Sequence, residues 1–164
     1  MKTLLLFRHA DAASPRGYAT DHERPLTERG QQDAQAMGRF LAAIDQAPDR
    51  VVTSTATRAR QTLTHARAGG GWSNRMRPED ALYEASTHDV LAIVQQTDAE
   101  ARALLLVGHN PTFTDAVTRL VGGGNVRMAT GTIARVDLPV DTWADVQVER
   151  GRLRWLIGPK DLPR

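Results

Sequence analysis

The sequence predicts an α/β domain whose central sheet is mostly parallel and covered on both faces, and three observations point there. Residues 2–7 (KTLLLF), 50–54 (RVVTS) and 102–107 (RALLLV) are short, nearly continuous apolar runs, as strands buried on both faces require. Helical patterns lie between them. Each run also hands over, at its carboxyl end, to basic or polar residues: Arg8-His9, then STATRAR at 54–60, then GHNP at 108–111. Ligands of open α/β sheets bind in the crevice outside those carboxyl ends, so the three handovers mark one candidate site.

The helices follow from spacing and caps. Across 27–44, Ala34, Met37, Leu41 and Ile44 recur at three- or four-residue intervals, with Thr27 as N-cap and Glu28 in the first turn. A second helix starts near Thr57 and a third covers about 88–96. A fourth covers about 111–121, with Asn110 capping and Pro111 at the first helical position, where a missing N–H costs nothing. The last third alternates: 132–138 (TIARVDL), 143–149 (WADVQVE) and 152–157 (RLRWLI) predict strands, antiparallel in places, with Gly151 in a hairpin turn. GGGW at 69–72 and GGGN at 122–125 are read as plain turns, because neither lies in the strand–GxxxxGK[ST]–helix context of a phosphate loop.

Bulk properties bound the function. The chain of 164 residues is one domain's worth, and 41% hydrophobic with 24% charged residues is ordinary for a globular protein. No apolar run approaches the roughly 18 residues of a membrane span. The opening MKTLLLF is too short in its apolar part for a signal peptide and is read as a strand of the mature protein. Without cysteine there is no disulfide, thiolate metal site or cysteine nucleophile, which excludes thiol-based phosphatase chemistry. With no export signal, the expected location is the cytoplasm. The pI of 9.5 overstates basicity, since the net charge is only +2 and nearly all cations are arginine. No Lys/Arg block supports nucleic-acid binding, and neither nucleic acid nor membrane is an expected partner.

Two arginines and two histidines gathered without a thiol describe an anion site: Arg8, His9, Arg58 and His109. Guanidinium binds phosphate through paired planar hydrogen bonds, and a neutral histidine is a nucleophile toward phosphorus. Nearby positive charge disfavours imidazolium, so Arg8 both grips a phosphoryl group and keeps His9 reactive.

These residues lie in motifs that resemble a known family. FRHADA at 7–12, RPLTERG at 24–30, STATRARQT at 54–62 and VGHNP at 107–111, four motifs in the family's order, are similar to the histidine phosphatase, or phosphoglycerate-mutase-like, superfamily. The small size and the RHADA and RPLTERG forms look most like its SixA-type phosphohistidine phosphatase branch. The resemblance implies a single domain over residues 1–164, an α/β/α sandwich without a lid domain, and cofactor-independent hydrolysis through a phosphohistidine on His9. Arg8, Arg58 and His109 match the pocket that holds the phosphoryl group. Position 10 is Ala10 where many relatives have glycine, a form common in the SixA-type branch. Glu84, in ALYEAS, falls where larger members carry a proton-donating glutamate, and Asp11 is the alternative acid. Arg60 is left out of the pocket.

The implied substrate is a phosphorylated protein or a small phosphate ester, and the absence of a long insertion predicts an open pocket. Two other readings compete. In one, His9, Asp11 and His109, with His88 as an optional fourth ligand, hold a divalent metal, although Arg8 and Arg58 would repel it. In the other, the chain is a phosphate- or phosphoprotein-binding module without catalysis. His22 and His65 have no motif around them and are expected to face solvent.

Overall fold

The computed structural model describes residues 1–163. A six-stranded sheet has the order β3-β2-β4-β1-β5-β6. Its strands are β1 (Lys2–Arg8), β2 (Arg50–Ser54), β3 (Met76–Glu79), β4 (Ala103–Gly108), β5 (Ile133–Leu138) and β6 (Arg152–Ile157). The first four run parallel to one another, whereas β5 is antiparallel to both β1 and β6. The helices are α1 (Glu28–Ala43), α2 (Thr57–Gly70), α3 (Thr87–Gln95) and α4 (Thr112–Val121).

Strand periodicity divides the core into two layers, because successive side chains point to opposite faces. Leu4, Leu6, Leu104 and Leu106 pack with α3 and α4, while Leu5, Phe7, Leu105 and Val107 pack with α1 and α2. The three-layer arrangement predicted from the apolar runs is therefore present, and no lid domain is inserted among the described residues.

Local chemistry sets the helix starts. The Thr27 side chain accepts from the Gly30 N–H at 3.0 Å, as its cap position requires. Ser86 and Asp89 form a reciprocal capping box that starts α3. At α4 the Asn110 side-chain oxygen accepts from the Thr114 N–H at 3.3 Å, but the helix begins at Thr112, so Pro111 is its cap rather than its first residue.

Two sequence expectations need correction. Residues 143–149 are not a strand: Trp143–Asp145 is a 3-10 turn, and the fully buried Trp143 joins the α3–α4 core while its Nε1–H donates to the Ala101 carbonyl at 2.8 Å. The alternation there reflects one anchoring aromatic rather than a pleated face. Gly151 accordingly makes no hairpin turn; its N–H donates to the Leu120 carbonyl, and Glu149 N–H to that of Arg119, which ties the segment to the end of α4. Strand β3, which periodicity did not reveal, is a four-residue edge strand containing Pro78, a position where a missing N–H is tolerated.

Helices α1 and α2 approach closely through small residues. A Cβ on Gly38 would lie inside contact distance of the Ala66 backbone carbonyl, so the two helices would have to separate. Gly38→Ala is expected to destabilise the fold by about 1–3 kcal/mol, measured as a lower denaturant midpoint; an unchanged midpoint would mean that the interface yields freely.

Candidate functional site

The parallel register of β1 and β4 sets Arg8 opposite Gly108, and the His9 N–H donates to the Gly108 carbonyl at 3.0 Å. The next residue on each strand is therefore a histidine, and the His9 and His109 rings lie side by side with centroids 5.3 Å apart. Strand β2 ends in the same crevice. Its last residue, Ser54, bonds through Oγ to His109 Nε2 at 2.8 Å, and the first turn of α2 carries Arg58.

His9 is 8% exposed. Its Nδ1 lies 2.8 Å from the Ala10 carbonyl. A carbonyl only accepts, so Nδ1 carries the proton and the Nε2 lone pair is left free. Burial lowers the His9 pKa to about 4; the Ala10 bond opposes it as the next largest effect, and Arg58, Arg8 and Arg24 add smaller lowering. The arginines were expected to lead; desolvation is the largest cause, and each arginine ranks below the Ala10 bond as well. His109 is lowered to about 3, chiefly by burial, then by His9 and Arg58.

Arg58 is buried and held from one side only. Its Nη1 donates to the Asp21 carbonyl at 2.8 Å and its Nη2 to Asp21 Oδ2 at 3.0 Å. The same carboxylate accepts from Tyr83 Oη at 2.7 Å and from Arg24 Nη1 at 2.7 Å. The Tyr83 hydrogen bond first, then Arg24 and Arg58, hold Asp21 far below the usual carboxylate range. Arg8 reaches the connection before β5, where its Nη1 donates to the Met128 carbonyl at 2.9 Å. Arg8 Nε and His109 Nδ1 are buried and have no hydrogen-bond partner among the described residues.

Arg8, His9, Arg58 and His109 thus lie around one crevice at the carboxyl ends of β1, β2 and β4. The two candidate acids do not stand alike. Glu84 is exposed, has left-handed backbone at φ 57°, and directly follows Tyr83 at the rim of the site. Asp11 braces the chain: its Oδ2 accepts from Thr27 Oγ1 at 2.8 Å and its carbonyl from the Thr27 N–H at 3.0 Å, which fixes the start of α1. Arg60 is exposed.

Sequence reasoning missed Asp21 and Tyr83 and misplaced His22. His22 does not face solvent: its Nε2 lies 2.9 Å from Thr55 Oγ1, and its ring meets that of Tyr83 edge-on at 4.8 Å. Tyr83 in turn meets His109 edge-on at 5.5 Å. His65 is half-buried on α2 rather than fully exposed. No periodic signal marks Asp21 or His22, because the long connection 9–27 folds over the site by tertiary contact; the only cue is proximity to the Arg24-Pro25-Leu26 motif. As for the metal reading, His88 lies on α3 beside Leu91 and Arg119, and among the described residues no three His, Asp or Glu side chains gather as ligands.

The model of the histidine phosphatase superfamily (branch 1) matches residues 4–115. A solved chain from Nakamurella multipartitia, named for the phosphohistidine phosphatase SixA, is 35% identical, with a TM-score of 0.84 and 96% of each chain covered. The structure of the protein histidine phosphatase SixA complexed with tungstate is 26% identical, also at a TM-score of 0.84, covering 98% of this chain and 99% of that one. An uncharacterized protein of Mycobacterium tuberculosis is 43% identical over 105 residues, a match that takes in 64% of this chain and 63% of that protein's length. The chain belongs to the histidine phosphatase superfamily, and within it to the SixA-type branch.

Proposed function

We propose that this chain is a phosphatase that removes the phosphoryl group of phosphohistidine on a protein, through a phosphohistidine intermediate on His9. The observation that carries the reading is the state of His9: a neutral imidazole with its Nδ1 proton tied to the Ala10 carbonyl and its Nε2 lone pair free, beside two guanidinium groups. Nucleophilic attack on phosphorus needs that lone pair, and a phosphoryl dianion needs those cations.

In the first step the Nε2–P bond to His9 forms as the bond from phosphorus to the leaving nitrogen breaks, and the departing imidazole takes up a proton. The nonbridging oxygens face Arg8, Arg58 and His109. In the second step water attacks phosphorus, the bond to His9 breaks, and inorganic phosphate leaves. Arg58 is poised for this without searching, because Asp21 takes two of its N–H groups and leaves the remainder for the substrate.

The substrate preference rests on proton supply. Asp21, the carboxylate built into the site, is held ionised by Tyr83, Arg24 and Arg58 and has no proton to give at neutral pH. An alkoxide leaving group needs an acid. A phosphoramidate nitrogen is basic enough to be protonated from solution, so it needs little help. Glu84, exposed at the rim, is the proton donor for the more demanding esters.

Three outcomes test these assignments. Incubation with a labelled phosphodonor leaves acid-labile, base-stable label on the wild type and none on His9→Ala; a binding module would show no label on either. Glu84→Gln lowers turnover of an alkyl phosphate by roughly 100-fold or more and that of phosphohistidine far less, whereas equal losses on both would remove Glu84 from the role of acid. The third concerns pH. Because His9 and His109 titrate at about 4 and about 3 when folded and near 6.5 when unfolded, the unfolded chain binds more protons between those values. Stability is therefore complete above about pH 6.5 and falls as the pH drops toward 4, by up to about 1.4 kcal/mol per pH unit for each histidine. Denaturant melts at successive pH values should show this slope in the wild type and a shallower one in His9→Ala.

A further inference from the structure

Ser54 is fully buried at the end of β2, and the partners of its hydroxyl can be counted. Oγ accepts from the Ala56 N–H at 3.2 Å and lies 2.8 Å from His109 Nε2. The Ala56 amide is a donor and cannot receive the hydroxyl proton. Among the described residues that leaves a single acceptor for it, the Nε2 lone pair of His109. A neutral imidazole has one N–H and one bare nitrogen, and if Nε2 accepts, Nδ1 holds the proton. Nδ1 of His109 is one of the buried atoms without a hydrogen-bond partner among the described residues.

We propose that Ser54 is a positioning residue that fixes His109 as its Nδ1–H tautomer, so that a ring 5.3 Å from the His9 ring offers an otherwise unsatisfied N–H to the phosphoryl group. The two histidines then have complementary roles. In His9 the Ala10 carbonyl takes the Nδ1 proton's hydrogen bond and frees a lone pair; in His109 the Ser54 hydroxyl occupies the lone pair and frees a proton. One ring is prepared to attack phosphorus and the other to donate to its oxygen. With the opposite tautomer, His109 would turn a lone pair toward an anion and repel it. Neutrality makes the device necessary: a protonated His109 would donate from both nitrogens, but burial holds it uncharged over the working range, so something must choose which nitrogen keeps the proton. An acceptor carrying charge, of the kind a phosphoryl oxygen supplies, is the group this N–H lacks.

The inference rests on the phosphatase reading for its consequence, but its first test needs no activity. Long-range 15N–1H spectra of the ligand-free wild type at neutral pH should show His109 with a protonated Nδ1 and a bare Nε2; a protonated Nε2 overturns the proposal even if the chain is an active phosphatase. In Ser54→Ala the protonated fraction of Nδ1 should fall, since the hydroxyl that held the lone pair is gone, and an unchanged tautomer overturns the role of Ser54. With either aryl phosphate or phosphohistidine as substrate, Ser54→Ala should lower kcat on the order of 10- to 100-fold, and Ser54→Thr, which keeps a hydroxyl, should recover most of it. In a His109→Ala background the same Ser54→Ala change should cost almost nothing further. An equal loss in both backgrounds would show that Ser54 only supports the loop. If the tautomer is as stated and no variant affects turnover because the wild type has none, the phosphatase reading fails and the assignment of the proton stands.

Discussion

The pairing of β1 with β4 is the constraint on which the site depends. With Leu4, Leu5 and Leu6 set against Leu104, Leu105 and Leu106, the register runs on to Arg8 opposite Gly108, and it delivers His9 and His109 to the same level. These leucines are fully buried, and they alternate between the two layers, so slipping the pair by one residue would reverse every side chain and empty both cores. The energy that aligns the two histidines is therefore the energy of the whole sheet. No bond between the imidazoles is needed. Their approach follows from hydrophobic packing farther down the strands.

That placement creates an electrostatic problem, and the connection between β1 and α1 resolves it. Arg8, Arg24 and Arg58 crowd around a histidine that must stay neutral, and a pit of uncompensated guanidinium groups would be unstable when empty. Asp21 supplies the opposing charge. It accepts from Tyr83, Arg24 and Arg58 together, and it can do so because the 3-10 turn Asp21–Glu23 projects its carbonyl and carboxylate toward the start of α2. The neutral form of His9 owes most to burial, with the arginines contributing less, so dry surroundings and local charge act in the same direction.

What was legible in the sequence divides along the same line. The apolar runs that became β1, β2 and β4 could be read because burial on both faces writes a continuous pattern, and their polar carboxyl ends marked Arg8, His9, Arg58 and His109 before any geometry was known. Asp21, Tyr83 and His22 could not be read in this way. Each reaches the site from a connection or a short turn, where no period constrains composition and only the folded chain decides which side chains meet. The expected strand at 143–149 failed for a related reason: alternation around Trp143 looked like a pleat but served one buried indole. The burial of Ser54 was equally silent, since a serine at a strand end is commonplace until its proton is traced.

The pairing of Arg58 with Asp21 has a consequence for how an anion arrives. Because one carboxylate, Asp21, answers both Arg24 and Arg58 while Arg8 has no carboxylate of its own among the described residues, the pit keeps an excess of positive charge that reaches anions before they touch it. That attraction is blind to shape and serves any small anion, ambient chloride or sulfate included. Discrimination falls to the last few ångströms, where a tetrahedral group must match donors whose directions were settled before it came.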